Sequence, residues 1–189
     1  LQYSCSVLYH KPTLMYSERM KFSRVLIFLV MSLILTGIVI YMLGFRYNFT
    51  PSFARGFYII EKTEQPLERG NLVIFCPPDT EAFKLASERE YVARGLCGAG
   101  DYRPLIKRVI GLEGDEIHIA DDVHVNGALV QNSTVMTADS KGRPISAFEG
   151  GIVPEGALFL MSDENANSYD GRYFGFVPRE QIIGRIKPL

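Results

Sequence analysis

The sequence predicts a mainly β domain, built as a partly closed sheet or barrel, that follows one N-terminal transmembrane helix. Three observations predict it: an uncharged apolar run at 25–43, short β-rich runs separated by turn residues from Tyr47 onward, and a single segment of helical composition at 79–95. A chain of 189 residues has room for one sizeable domain and an appendage, and not for two full domains.

The apolar run extends from Val25 to Leu43. Its length of about 19 residues is close to the roughly 20 that span the hydrocarbon core of a bilayer. Lys21 and Arg24 precede the run and only Arg46 follows it closely, so the positive-inside rule keeps the N-terminus in the cytoplasm. A buried core helix is disfavoured because the run is apolar on every face.

A cleavable signal peptide is the alternative to an uncleaved anchor. The apolar core of a signal peptide is usually shorter, and no A-x-A cleavage site follows this one. We therefore predict three parts, which are a cytoplasmic extension at 1–24, a transmembrane anchor at 25–43 and an exported domain at 44–189.

The exported part alternates strands and turns. The clearest hairpin signal is Asn126-Gly127, which separates two β-rich runs. Further strands are predicted at 69–75, 104–117, 156–163 and 181–189, and a long polar loop at 132–151.

Cys76 and Cys97 both lie in the part predicted to be exported, where thiols are oxidised. The loop between them has about 20 residues, and closing it would stabilise the fold by roughly 3 kcal/mol. We predict a disulfide, with two free thiols as the alternative. Their spacing differs from the C-x-x-C of metal and redox sites.

Composition and histidines argue against several functions. The net charge of −1 and the lack of a basic run disfavour nucleic acid as a partner. His118 and His124 fall in strands beside a hairpin without a paired carboxylate spacing, so we predict no metal site and give them no role. His10 lies on the cytoplasmic side.

Three segments carry residues suited to catalysis. Ser52 follows the anchor by about nine residues, which places it at most about 30 Å from the membrane, as an ordinary turn residue or as a nucleophile. Lys107 lies in a strand whose two faces are otherwise apolar, where a desolvated lysine can become a general base. The alternative is an edge strand whose charge reaches water.

The third segment, SDENANSYDGRYFG at 162–175, gathers polar side chains in a loop after an apolar strand. Such a loop can orient an ammonium group and can be fixed by an Asp–Arg pair. The alternative is an ordinary turn rich in Asn and Asp.

Together these segments resemble the sequence boxes of the Ser/Lys signal peptidases. The matching stretches, in order, are TPS at 50–52, IKRV at 106–109 and NSYDGR at 167–172. Within that family the chain is most similar to the TraF-type conjugative transfer peptidases, since NFTPSFARGFY at 48–58 resembles their pattern N-x-T-x-S-x-P-x-G-x-Y.

The resemblance implies a signal-peptidase-like β domain and a division of roles. Ser52 would be the nucleophile and Lys107 the general base that removes its proton. Thr50 would offer its hydroxyl to the oxyanion beside the Ser52 N–H. Ser168 and Asp170 would position Lys107 or its neighbours, and Arg172 would pair with Asp170. The scheme needs no cofactor and no metal.

The resemblance further implies a peptidase of the bacterial inner membrane with its catalytic domain on the periplasmic side. Its substrate would be an exported precursor, a pilin-like subunit that loses a leader or C-terminal segment. An amine can replace water in the last step and cyclise the product. The lipid bilayer and other conjugative transfer proteins would be its partners.

Three alternatives remain open at this point. One is a general signal peptidase with many substrates, and another is a non-enzymatic membrane-anchored component of a secretion or conjugation apparatus. The third is a soluble self-cleaving regulator, which the transmembrane segment disfavours.

Departures from the family pattern predict altered geometry around the site. Ala54 replaces a Pro after the nucleophile, and Gly171 replaces a Ser. Ser162 and Glu164 replace a Gly and an Asn.

Overall fold

The computed structural model describes residues 13–61 and 66–189. It divides the chain into two compact units, one that ends at Leu43 and one that comprises Gly44–Leu189. The first part of the predicted cytoplasmic extension, with Cys5 and His10, lies outside the described residues.

The first unit contains one long helix, α1 (Thr13–Met42). Its segment Lys21–Met42 contains an 18-residue window with a mean hydropathy of 2.7 and is long and apolar enough to cross a membrane. Large apolar side chains are exposed along this segment, with Phe28 at 74% and Leu33 at 73%. The helix ends one residue before the predicted end of the span, because the chain turns at Leu43 and Gly44.

The second unit is mainly β, as the sequence predicts. Its elements are β1 (Phe45–Asn48), β2 (Gly56–Glu61), β3 (Leu72–Phe75), α2 (Glu81–Glu88), β4 (Arg94–Cys97), β5 (Leu105–Gly111), β6 (Glu116–Ile119), β7 (Val123–Val125), β8 (Ala128–Leu129), β9 (Gly151–Ile152), β10 (Ala157–Met161), α3 (Gly171–Phe174), β11 (Phe176–Pro178) and β12 (Ile182–Pro188).

All the described strands except β4 form two open antiparallel sheets rather than a closed barrel. The larger sheet has the order β1-β2-β12-β3-β5-β10-β11, and the smaller has the order β8-β7-β6-β9. The C-terminal strand β12 pairs with β2 on one side and β3 on the other. Among the described strands, the first hairpin of the unit therefore pairs with the rest of the sheet through the last strand of the chain.

Strand β10 occupies the middle of the core and is buried along its whole length. On one face, Leu158 and Leu160 pack with Phe83 of α2. On the other face, Phe159 and Met161 pack with residues of the smaller sheet. The strand therefore reads as a continuous apolar run, which is what burial on both faces requires.

The predicted hairpin turn at Asn126-Gly127 connects β7 and β8. Both residues have positive φ angles, +50° and +81°. This is the conformation that a tight two-residue hairpin turn requires and that Asn and Gly adopt most readily.

The predicted disulfide between Cys76 and Cys97 is present, with the two Cα atoms 5.3 Å apart. It joins the chain just after β3 to the end of β4, with α2 between them. Phe83 and Ala86 on the inner face of α2 are buried. The bridge thus closes a loop whose helix contributes directly to the core.

We expect the double variant Cys76→Ser/Cys97→Ser to lose about 3 kcal/mol of unfolding free energy, because the bridge restricts the unfolded chain. Urea unfolding of the full chain in detergent, followed by far-ultraviolet circular dichroism, measures this loss. Reductant should lower the midpoint of the wild type and leave that of the double variant unchanged. Equal midpoints for oxidised wild type and double variant would contradict a stabilising bridge.

Candidate active site

The three segments singled out in the sequence meet at one place. Ser52 lies in the turn between β1 and β2, Lys107 lies in the middle of β5, and Ser168 lies in the loop between β10 and α3. The Lys107 Nζ is 3.2 Å from the Ser52 Oγ and donates a hydrogen bond to the Ser168 Oγ. The two hydroxyl oxygens are 3.1 Å apart. The amine and both hydroxyls are thus in mutual hydrogen-bond contact.

Burial changes the protonation of Lys107, whose exposed fraction is only 2%. Loss of solvation disfavours the ammonium form and lowers the pKa of Lys107 to about 8. The charge of Asp170 acts in the opposite direction, and the charge of Arg172 acts with burial. A useful fraction of this amine is therefore neutral near physiological pH.

Asp170 and Arg172 form an ion pair that is fully removed from solvent. The Arg172 Nε donates to Asp170 Oδ1 and the Arg172 Nη2 to Oδ2, both at 2.8 Å. This two-pronged geometry is the one in which a buried guanidinium and carboxylate best replace their lost water. Asp170 also caps α3 by accepting the backbone N–H of Arg172.

The same ion pair holds the loop that carries Ser168. Arg172 Nη2 donates to the Ser168 carbonyl at 3.1 Å, and its Nη1 donates to the Thr134 carbonyl at 2.6 Å. Asp170 makes no hydrogen bond to Lys107 within the part of the chain that the structure describes. Asp170 therefore acts on the Lys107 amine indirectly. It binds Arg172, which holds the Ser168 backbone, and its charge affects the pKa of Lys107.

Asn48 organises the turn that carries Ser52, a role that the sequence reasoning missed. Its Nδ2 lies within 3.1–3.2 Å of the carbonyls of Thr50, Phe53 and Ala54. Its Oδ1 accepts the N–H of Thr50 at 3.0 Å and the Thr50 hydroxyl at 2.8 Å. The Thr50 hydroxyl is therefore engaged with Asn48, and its role at an oxyanion stays a prediction. The only sequence signal was the Asn in the serine box.

Ser162 and Asn165 tie the same turn to the loop after β10, and the sequence reasoning gave neither residue this role. The Ser162 hydroxyl donates to the Ser52 carbonyl, and the Asn165 Nδ2 donates to the Pro51 carbonyl at 3.0 Å. The Ser162 N–H donates to Asp170 Oδ2 at 3.0 Å. Ser162, which stands where the family has Gly, thus adds an anchoring contact.

Ala54 and Glu164, two other positions that depart from the family pattern, also make stabilising contacts. The Ala54 carbonyl accepts the Tyr58 hydroxyl at 2.7 Å, so the turn is held without a Pro at this position. Glu164 pairs with Arg108 at 3.2 Å. The guanidinium of Arg108 lies 5.5 Å from the centre of the Phe53 ring. Arg108 therefore lies against the turn at Phe53 and pairs with a carboxylate of the loop after β10, whereas Lys107 on the other face of β5 points inward.

His118 and His124 do not join this cluster. They face each other across β6 and β7 of the smaller sheet, with ring centres 6.3 Å apart.

Comparison with known proteins identifies relatives over most of the chain. The family described as signal peptidase, peptidase S26, matches residues 19–189. A conjugal transfer protein TraF of Agrobacterium fabrum is 44% identical over 162 residues, which cover 85% of this chain and 91% of the relative. A plasmid transfer protein TraF of Escherichia coli is 42% identical and covers 84% and 89% of the two chains.

Less similar relatives include signal peptidases. A probable signal peptidase I-2 of Synechocystis is 35% identical over 133 residues, which cover 67% of this chain and 51% of that protein. Among solved structures, a signal peptidase I of Enterococcus faecalis V583 matches 65% of this chain and 98% of its own, with 23% identity and a TM-score of 0.40.

We expect Asp170→Ala to lower the unfolding free energy by about 3–5 kcal/mol, because it leaves a buried guanidinium without its carboxylate. Denaturant unfolding of the full chain measures the change. Asp163→Ala serves as the matched control, since Asp163 pairs with the more exposed Arg108 at 2.8 Å, and it should cost about 1 kcal/mol or less. Similar losses in the two variants would contradict a special role for the buried pair.

Proposed function

Since this chain belongs to the signal peptidase S26 family, we propose that it is a membrane-anchored serine endopeptidase that uses Ser52 and Lys107 as a catalytic dyad. The observation that carries the proposal is the buried amine of Lys107, 3.2 Å from the Ser52 hydroxyl, with a pKa near 8. A nucleophilic serine needs an adjacent base of which a useful fraction is neutral at the working pH, and Lys107 meets both requirements.

In the acylation step, neutral Lys107 accepts the Ser52 proton while Oγ attacks the carbonyl carbon of the scissile peptide bond. The tetrahedral intermediate carries its negative charge on the former carbonyl oxygen, where backbone or hydroxyl donors stabilise it. When the intermediate collapses, the C–N bond breaks and Lys107 gives the proton to the leaving amine. The acyl group remains on Ser52 as an ester.

In the second step, Lys107 takes a proton from the group that attacks this ester. Attack by water releases a carboxylic acid and regenerates Ser52. Attack by the N-terminal amine of the same subunit forms a peptide bond and releases a cyclic product. Both routes use the same two side chains, and only the acceptor differs.

Ser168 and the ion pair support this dyad without taking part in bond exchange. The Ser168 hydroxyl accepts a hydrogen bond from Lys107, which directs the amine toward Ser52. Arg172 holds the Ser168 carbonyl, and Asp170 fixes Arg172. We assign Ser168, Asp170 and Arg172 as positioning residues and keep Thr50 as a candidate oxyanion donor.

The relatives suggest the substrate and the setting. Two of them are TraF proteins of conjugal or plasmid transfer, so we propose a pilin-like exported precursor as substrate and other transfer proteins as partners. The basic residues Lys21 and Arg24 before the apolar run at 25–43, and the disulfide after it, favour an inner-membrane protein with a periplasmic catalytic domain.

Ser52→Ala and Lys107→Ala should both abolish processing of a co-expressed candidate pilin precursor in membranes. A missing general base alone typically lowers the rate by about 10²–10⁴-fold. Intact mass of the product measures the outcome and identifies the acceptor, since a cyclic product is lighter than the linear one by one water.

Lys84→Ala, which changes an exposed lysine on α2, is the matched control and should process normally. Unchanged processing in both dyad variants would show that another enzyme makes the cut. Cleavage of many unrelated secretory precursors would instead favour a general signal peptidase.

The rate constant kcat/KM should rise with pH through a midpoint near 8, because only neutral Lys107 accepts the Ser52 proton. Between pH 7 and the plateau the increase should be about tenfold. The free energy of unfolding should also increase with pH. From about pH 8 to 10.5 the unfolded chain holds more protons at Lys107 than the folded chain does, so raising the pH favours the folded state. A flat rate profile between pH 7 and 9 would contradict Lys107 as the base.

A further inference from the structure

Side chains hold every carbonyl of the segment 50–54 around Ser52. Asn48 binds the carbonyls at positions 50, 53 and 54, Asn165 binds that of Pro51, and Ser162 binds that of Ser52. The segment is neither helix nor strand. Its backbone conformation is therefore set from outside, by side chains that come from two separate parts of the chain.

The hydrogen bond from Asn165 to the Pro51 carbonyl also fixes the direction of the Ser52 N–H. The Pro51 carbonyl and the Ser52 N–H belong to the same peptide plane, and in a trans peptide they point in opposite directions. When the Asn165 Nδ2 holds this carbonyl at 3.0 Å, the Ser52 N–H must point away from Asn165, in the opposite direction within that plane. Asn165 therefore controls the direction of that N–H without touching it.

The Ser52 N–H and the Thr50 hydroxyl are the two groups predicted to donate to the oxyanion, and they differ in whether a protein group already accepts their hydrogen bond. The Thr50 hydroxyl donates to Asn48. Within residues 13–61 and 66–189, the Ser52 N–H donates to no protein group. A backbone N–H that is both fixed in direction and unpaired can stabilise a developing oxyanion with little reorganisation.

We infer that Asn165 is a positioning residue for the oxyanion-binding N–H of Ser52, and that Ser162 holds the peptide that follows. This inference rests on the proposed function of Ser52 as nucleophile. It also connects the buried ion pair to the nucleophile, since Asp170 binds the Ser162 N–H and the Ser162 hydroxyl binds the Ser52 carbonyl.

Asn165→Asp isolates this contact. Aspartate keeps the size of the side chain and the oxygen that accepts the Asn167 N–H at 2.9 Å, but it replaces the donor to Pro51 by an acceptor. We expect kcat to fall by about 10- to 100-fold with KM nearly unchanged, because misplacing one donor affects the transition state and not substrate binding.

The measurement is processing of the precursor by the full chain in detergent, on the high-pH plateau, where a changed pKa of Lys107 has no effect on the rate. The affinity for a peptide aldehyde, which forms a tetrahedral adduct with the serine, should fall in parallel with kcat. The melting temperature should stay close to that of the wild type. The neutral variant Asn165→Ala should show the same loss of kcat, which separates the lost donor from the added charge.

Asn132→Asp is the matched control, since the Asn132 Nδ2 donates to the Asp163 carbonyl of the same loop at 2.9 Å. It should retain wild-type kcat within about twofold, well below the loss that a misplaced catalytic donor causes. Wild-type kcat in Asn165→Asp, or an equal loss in Asn132→Asp, would overturn the inference while Ser52→Ala remained inactive. Processing that survives Ser52→Ala would instead overturn the proposed function together with the inference.

Discussion

Burying the Lys107 amine against two hydroxyl groups is the constraint on which the rest of the site depends. An ammonium ion taken out of water is unstable, and the protein lowers this cost by letting the amine lose its proton more easily. The neutral form still needs hydrogen-bond partners, which Ser52 and Ser168 supply. The two hydroxyl groups that surround the amine come from distant segments of the chain, and their placement there is thus a consequence of burying Lys107.

The position of Asp170 follows from the same requirement. A carboxylate bonded directly to Lys107 would favour the ammonium form and remove the base. Arg172 instead occupies both carboxylate oxygens of Asp170, and its own charge acts on Lys107 in the opposite direction to that of Asp170. The ion pair can therefore stabilise the Ser168 loop and the Ser162 N–H without returning the pKa of Lys107 to its ordinary value.

Features that depend on neighbouring residues could be predicted from the sequence, such as the apolar helix, the β-rich character and the Asn126-Gly127 turn. Because Ser52, Lys107 and the 162–175 loop lie in motif stretches of distinctive composition, they could be singled out as well, although the resemblance was needed to connect them. The contacts of Ser162 and Asn165 with the Ser52 turn could not be predicted. They join backbone carbonyls to residues more than 100 positions away, and such pairings leave no local pattern. The insertion of β12 between β2 and β3 was missed for the same reason.

Direct titration of Lys107 tests the central claim of a neutral catalytic amine most closely. The ¹⁵N resonance of the Lys107 side chain, assigned by its loss in Lys107→Arg, can be followed with pH in the full chain in detergent micelles. A midpoint near 8 is the predicted result. A midpoint near the ordinary lysine pKa of about 10.4 would show that burial does not prepare this amine as a base, and would contradict the account.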